Sequence, residues 1–198
     1  MHRVRLFIMS VFMLVTPVLW AETSAVPMLE ATANQIIQTL KTNQAQLKSN
    51  HVIIQHAVLQ YLVPHVDVTG MSRSVLGRNA WNQATPAEKK EFTSVFTQLV
   101  IRTYATPLAE YNGETITFSP QQANGRFARV NSVIKRPNGQ TIPLSYALVL
   151  KDGSWKVYDF SVEGVSLLQS FRNQFSDVLQ KSDMKSLIAQ MKQHQSAS

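Results

Sequence analysis

TIPLSYALVLKDGSWKVYDFSV, residues 141–162, alternates apolar and polar side chains on either side of Asp152-Gly153. A period of two marks a strand with one covered face, and Asp-Gly supplies the positive backbone angles of a tight hairpin. Thr141 to Lys151 and Trp155 to Val162 therefore read as paired antiparallel strands. The pattern extends backwards through the Pro137-Asn138-Gly139 turn to a strand at Gly125 to Arg136, and to an earlier one at Thr115 to Ser119. Four strands in a meander result. Ile142, Leu144, Tyr146, Leu148 and Leu150 point one way, and Ala128, Val130, Ser132 and Ile134 form the matching set on the strand before. The last strand departs from this order: simple alternation puts Trp155 and Val157 on one side and Tyr158, Phe160 and Val162 on the other. Such a strand is covered on both sides, or lines a cavity.

Helices flank the meander. Leu29, Ile36, Ile37, Leu40 and Leu47 recur at helical spacing between Pro27 and Asn50, and a second helical stretch, His51 to Leu62, runs until Pro64 interrupts it. Asp67 to Leu76 reads as a short helix capped by Asp67 and ending near Gly77. Thr85-Pro86-Ala87-Glu88 is a capping box with proline at the first helical position, where the missing N–H costs nothing. Behind it Phe92, Val95, Phe96, Leu99, Val100, Thr103, Tyr104, Leu108 and Tyr111 form one face. Pro107 bends the last turn. Two more helices close the chain, one striped by Val165, Leu168, Phe171, Phe175, Val178 and Leu179, the other capped by Asp183; the tail after His194 reads as disordered. The class is α+β, with helices packed around a curved four-stranded antiparallel sheet.

The first residues give the compartment. Arg3 and Arg5 precede an apolar run from Leu6 to Trp20, and Ala21 then gives way to Glu22. A charged start, a short apolar middle and a small residue at the exit make a secretory signal over residues 1–21, too short for a comfortable membrane span. Leu19 stands where alanine is usual, which leaves a cut after Ala25 open. Residues 22–198 then form a single domain that is soluble after cleavage. Without Arg3 and Arg5 that part carries 17 basic residues against 12 acidic ones, an excess that favours anionic membranes or acidic partners. No run of Lys or Arg exceeds two, which argues against nucleic acid. Cysteine is absent, so the fold has no disulfide and rests on an ordinary core.

The chain lacks a G-x-S-x-G elbow, a Walker loop, a G-x-G-x-x-G and an H-E-x-x-H. His51 and His56 lie five apart, off a common helical face, and make a poor metal pair. Ser182-Asp183-Met184-Lys185 matches S-x-x-K without its companion elements and reads as a helix start. Asp159 and Glu163 are the one pair of neighbouring carboxylates at the end of the last strand. They could do acid–base work, or Asp159 could satisfy a backbone or arginine partner while Glu163 leads into a helix N-terminus. Arg172 beside an apolar stripe is either a stem covering that stripe or a phosphate clamp at a pocket mouth.

Two blocks carry a family resemblance. The first is Met71-Ser72-Arg73-Ser74-Val75-Leu76-Gly77-Arg78 through Trp81, followed by the Thr85-Pro86 helix to Thr103-Tyr104-Ala105 and Pro107-Leu108. The second is Trp155-Lys156-Val157-Tyr158-Asp159-Phe160, then Val162-Glu163-Gly164-Val165-Ser166-Leu167 and Phe171-Arg172-Asn173-Gln174-Phe175. From about Met28 to Gln193 the chain resembles the MlaC family, also called the toluene-tolerance auxiliary family, of Gram-negative periplasmic phospholipid carriers. Phe171 stands where tyrosine is common, and Phe160 where a smaller β-branched residue is common.

The resemblance implies a carrier and no enzyme, with a glycerophospholipid as cargo and no cofactor. Its acyl tails would lie between the sheet and the helices, in an apolar cavity. The implied partners are an outer-membrane MlaA–porin complex and MlaD of an inner-membrane ABC transporter, and the implied role is the maintenance of outer-membrane lipid asymmetry. A monomer is expected. The residues expected to line the cavity are Tyr104, Leu108, Tyr146, Leu148, Trp155, Val157, Val165, Leu168 and Phe171, with ordinary core packing as the alternative for each. Arg172 is the head-group candidate. Two rival functions stand beside this one: a periplasmic acyl hydrolase or isomerase using Asp159 as base, and a chaperone-like binder of apolar peptides.

Overall fold

Capping residues fix where the helices begin. The computed structural model describes residues 24–196, so the expected leader lies outside the described residues. Helix α1 (Val26–Thr42) is followed by one 3-10 turn. It ends well before Asn50, because Asn43 turns both its backbone N–H and its side-chain amide onto the Thr39 carbonyl. Helix α2 (Val52–Ala57) widens into a π-type turn over Val58–Leu62 and tightens to 3-10 around Pro64. Helix α3 (Val68–Gln83) begins as expected at Asp67, whose Oδ1 accepts from Gly70 N at 3.1 Å. Gly77 breaks its helical geometry with φ 74° and ψ 166°, and the chain then resumes helix to Gln83. Helix α4 (Pro86–Ala109) opens on the complete Thr85/Glu88 capping box and contains Pro107 in its last turns.

Six strands follow where four are expected. They are β1 (Thr115–Phe118), β2 (Gln122–Asn124), β3 (Phe127–Lys135), β4 (Thr141–Lys151), β5 (Ser154–Val162) and β6 (Val165–Ser166). The antiparallel sheet runs β1-β3-β4-β5-β6, with β2 pairing β3. The two extra strands are three and two residues long, too short to show alternation. Turns create them: Gly125 at φ 57° folds β2 back on β3, and Glu163-Gly164 at φ 51° and 84° fold β6 back on β5. Helices α5 (Leu167–Leu179) and α6 (Met184–Ser196) complete the chain; α6 continues past His194, where a disordered tail is expected. Asp183 caps α6 by accepting from Ser186 N at 2.8 Å, so the Ser182–Lys185 motif is a helix start.

Three apolar clusters hold these elements together. The largest joins α3 to α6 around Phe92, Phe96, Phe171 and Phe175, whose rings meet at 5.3–5.9 Å, mostly edge to face. A second joins α1, the α2 segment and α4 through Leu40, Leu47, Ile54, Ile101 and Ala105. The third packs Ala25 and Leu29 against Ala128, Val130, Leu148, Trp155 and Val157 of the sheet. Val66 packs against both the first and the third. Polar ties fasten that junction: Val66 bridges Val157, Asp67 N donates to the Val157 carbonyl at 2.9 Å, Lys156 Nζ to the Pro64 carbonyl at 2.7 Å, and Lys151 pairs with Asp67 at 3.0 Å. Close backbone contact between helices and sheet runs mainly through β5, with lesser contact at β6 and β1.

Candidate functional site

Register decides which side chains look toward the helices. Ala128, Val130, Ser132 and Ile134 of β3 stand opposite Leu148, Tyr146, Leu144 and Ile142 of β4, the matched sets expected from alternation. Ile116 and Phe118 of β1 join them opposite Ile134 and Ser132. On β5, Trp155 and Val157 oppose Leu150 and Leu148, but Phe160 and Val162 oppose Tyr146 and Leu144. The register slips between Ala147 and Leu148, so Tyr158 is the extra residue of a β-bulge. One inserted residue exchanges the faces of everything beyond it. Trp155, Val157, Phe160 and Val162 therefore share the helix-facing side, which corrects the two-faced reading of this strand. Tyr158 is left outside, edge-on to Phe127 at 6.2 Å.

The helix-facing side has two halves. At one end Leu148 and Val130 are completely buried, and Trp155 and Val157 nearly so, beneath Ala25, Leu29 and Val66. At the other end Ile116, Ile134, Ile142, Leu144 and Val162 are only half-buried and lie outside all three clusters. Val165, opposite Val162 on β6, is 64 % exposed. Between the halves stand aromatic side chains: Tyr146 touches Phe118 at 5.9 Å, and Tyr104 of α4 meets Phe160 at 5.1 Å. Burial pushes both phenols above the ordinary value of 10, with the Asp159 charge adding to Tyr104 and the Ser132 hydrogen bond opposing at Tyr146.

The expected lining residues are thus distributed among different surroundings. Tyr104, Leu168 and Phe171 belong to the helical cluster, and Leu108 to the edge of the second. Tyr146, Leu148, Trp155 and Val157 belong to the sheet cluster, and Val165 is at the surface. Arg172 is exposed on α5 and reaches the α3 kink, where a Cβ added to Gly77 would lie 3.9 Å from its guanidinium. Residues absent from the expected set are Phe160 and Val162, hidden by the bulge, and the isoleucines and Leu144 of the half-covered end. The spacing of Trp155, Val157, Phe160 and Val162 carried the signal, since two apolar pairs offset by three residues imply an insertion.

Asp159 is engaged locally. Its Oδ2 accepts from Ser166 Oγ at 2.7 Å and its Oδ1 from Leu168 N at 3.1 Å, so it caps α5 together with Ser166. Glu163 sits in the β5–β6 turn and does not lead into that helix. No group of three His, Asp or Glu among the described residues could hold a metal ion. Two open clefts mark the outside, one of about 710 Å³ beside Lys90, Glu91 and Gln98, the other of about 370 Å³ beside Asp67 and Lys156; neither contains an expected lining residue. No helix among the described residues is long and apolar enough to cross a membrane.

The family described as MlaC protein matches residues 30–193, which hold both the sheet and the helices around it. The chain belongs to the MlaC family. It is similar to the toluene tolerance protein ttg2D of Pseudomonas putida, with 33% identity over 153 residues covering 77% of this chain and 71% of that one. It is also similar to the intermembrane phospholipid transport system binding protein MlaC of Haemophilus influenzae, 29% identical over 193 residues, 94% of this chain and 89% of the relative. Among solved structures, a phospholipid-binding protein from Ralstonia solanacearum in complex with a phospholipid superposes with a TM-score of 0.79 at 28% identity, covering 86% of this chain and 96% of that one.

Proposed function

We propose that this MlaC-family chain is an exported, non-enzymatic carrier of glycerophospholipid. Its cargo passes between an outer-membrane MlaA–porin complex and MlaD of an inner-membrane ABC transporter, across the periplasm. The observation that carries the reading is the half-covered apolar strip of Ile116, Ile134, Ile142, Leu144 and Val162. A sheet face of five branched aliphatic side chains with no packed layer of its own is a place for hydrocarbon from outside the chain. Acyl tails would lie along this strip, against the half-buried Tyr104, Leu108 and Phe160, with Val165 at the rim. Arg172 is the cation offered to a head group.

Energetics set how such a carrier works. Two acyl chains contain roughly 30 methylenes, and at about 0.8 kcal/mol each their exposure to water costs more than ~20 kcal/mol. Exchange between a bilayer and an apolar groove avoids that cost. Lipid therefore leaves only when the carrier is docked against an apolar acceptor. The fully buried Ala25 agrees with export cleavage after Ala21, since a cut after Ala25 would remove a residue seated on the sheet.

The test is extraction of the chain, purified from the periplasm without detergent, with organic solvent, followed by mass spectrometry. Phospholipid in near-stoichiometric amount is the expected result. Co-purified polypeptide in place of lipid would favour the chaperone reading, and an empty protein would overturn the carrier.

A further inference from the structure

The charge of the chain is segregated. Residues 22–114 and 152–198 each carry equal numbers of acidic and basic side chains. Thr115 to Lys151, which spans β1 to β4, contains Arg126, Arg129, Lys135, Arg136 and Lys151 and no aspartate or glutamate. The whole basic excess beyond the leader therefore sits in β1 to β4 and the turns between them. Lys151 is paired with Asp67, and Arg136 approaches Glu114 at 4.0 Å. Among the described residues Arg126, Arg129 and Lys135 have no carboxylate partner.

Arg129 and Lys135 lie on the side of the sheet turned away from the helices, and Arg126, in the turn before β3, reaches the ring of Phe127. Register places Phe127, Arg129, Val133 and Lys135 together there, opposite Val149, Ala147, Pro143 and Thr141 of β4. Phe127 is 50 % exposed and Val133 40 % exposed there, while Val149, opposite Phe127, is buried. The Arg126 guanidinium lies 5.7 Å from the centre of the Phe127 ring, and Tyr158, ejected by the bulge, meets the same ring edge to face. The facing residues of β4 are short and neutral, so aromatic and cationic side chains rise above that floor.

We infer that this outer sheet face docks the protein onto a bilayer surface bearing anionic phospholipids. The occupant follows from the chemistry. Within β3 and β4 the patch is cationic without carboxylates, and Asp159, which register places opposite Ala147 at its β5 margin, is spent on the start of α5; such a patch is complementary to an extended anionic plane. Exposed Phe and Tyr rings beside arginines are the side chains that settle at the boundary between head groups and hydrocarbon. A short-side-chain floor suits a plane better than a protruding protein partner. The inference deepens the carrier reading and rests on it only in giving such a protein a reason to meet a membrane; the surface is distinct from the cargo strip on the opposite side of the sheet.

Vesicle flotation tests it, with phosphatidylethanolamine vesicles containing about one-quarter phosphatidylglycerol compared with pure phosphatidylcholine. The chain should float with the anionic vesicles at about 0.05 M salt and lose most binding at about 0.5 M. Each cation near such a surface contributes about fivefold, so the triple variant R126Q/R129Q/K135Q should partition about 100-fold more weakly. A control lacking three exposed lysines outside the sheet, K41Q/K181Q/K185Q, should keep most of its binding. Phe127→Ser should weaken binding with little change in salt dependence. Lipid extracted from each purified variant reads the cargo site separately: unchanged cargo with lost flotation supports the docking face. Equal losses in the triple variant and the control would reduce the effect to net charge and overturn the inference. So would flotation of neither protein, or capture of the patch by an acidic protein with no vesicle binding, whether or not cargo is found.

Discussion

Asp159 shows how one side chain separates two classes of function. A carboxylate at the end of a strand is a candidate base, yet both its oxygens are spent on the start of α5. Asp159→Ala should therefore lower stability by about 1–2 kcal/mol, the worth of a helix cap, in urea denaturation. Bound lipid per folded molecule should be unchanged; loss of a catalytic turnover would instead revive the enzyme. Gly77 carries a different constraint. At φ 74° and ψ 166° it occupies a region essentially restricted to glycine, and the nearest atom to an added Cβ is 3.9 Å away. Gly77→Ala should cost about 1–3 kcal/mol of backbone strain without steric collision, measured as a lowered denaturation midpoint. The helix break at Gly77 was legible in the sequence, because a glycine acts on its own backbone, whereas the Asp159 cap reaches seven and nine residues ahead across the β5–β6 turn, and the sequence leaves it as one of two readings.

At the scale of elements, the legible features were those with a local cause. The Thr85/Glu88 box, the Asp67 and Asp183 caps, and the Asn138-Gly139 and Asp152-Gly153 hairpins all lie where the sequence places them. The β3–β4 pairing follows from two correct alternations and one tight turn between them. The bulge at Tyr158 does not, because an unpaired residue is defined only against the partner strand. Its consequence is testable. Deleting Tyr158 should return β5 to plain alternation and drive Phe160 and Val162 to the outer face, so the folded yield should fall sharply. Tyr158→Ser keeps the extra residue and should fold with a Tm near that of the parent; equal damage from both changes would mean that the ring and not the insertion matters.

For the whole molecule, one sheet face divides into a sealed and a half-covered end, and the proposed carrier role assigns folding to the first and cargo to the second. Leu148 is fully buried in the sheet cluster, whereas Leu144, two pairs along the same strand, is outside any cluster. Burying an unpaired carboxylate at Leu148 should prevent folding, since the charge has neither partner nor water. Leu144→Asp should fold with a modest stability loss and release most of the extracted phospholipid. Thermal denaturation and mass spectrometry on the two variants distinguish the ends; similar lipid content in Leu144→Asp and the parent would remove the strip from the site.

Composition, spacing and turn chemistry by themselves settled the α+β class, the order of the main elements and the pairing of the central strands, because each depends on residues a few positions apart. Which side chains share a face beyond the bulge, which end of the sheet is sealed, and where the basic excess points were decided by tertiary structure. Those properties depend on what lies across a strand pair or above a sheet, and neighbouring residues along the chain carry no record of it.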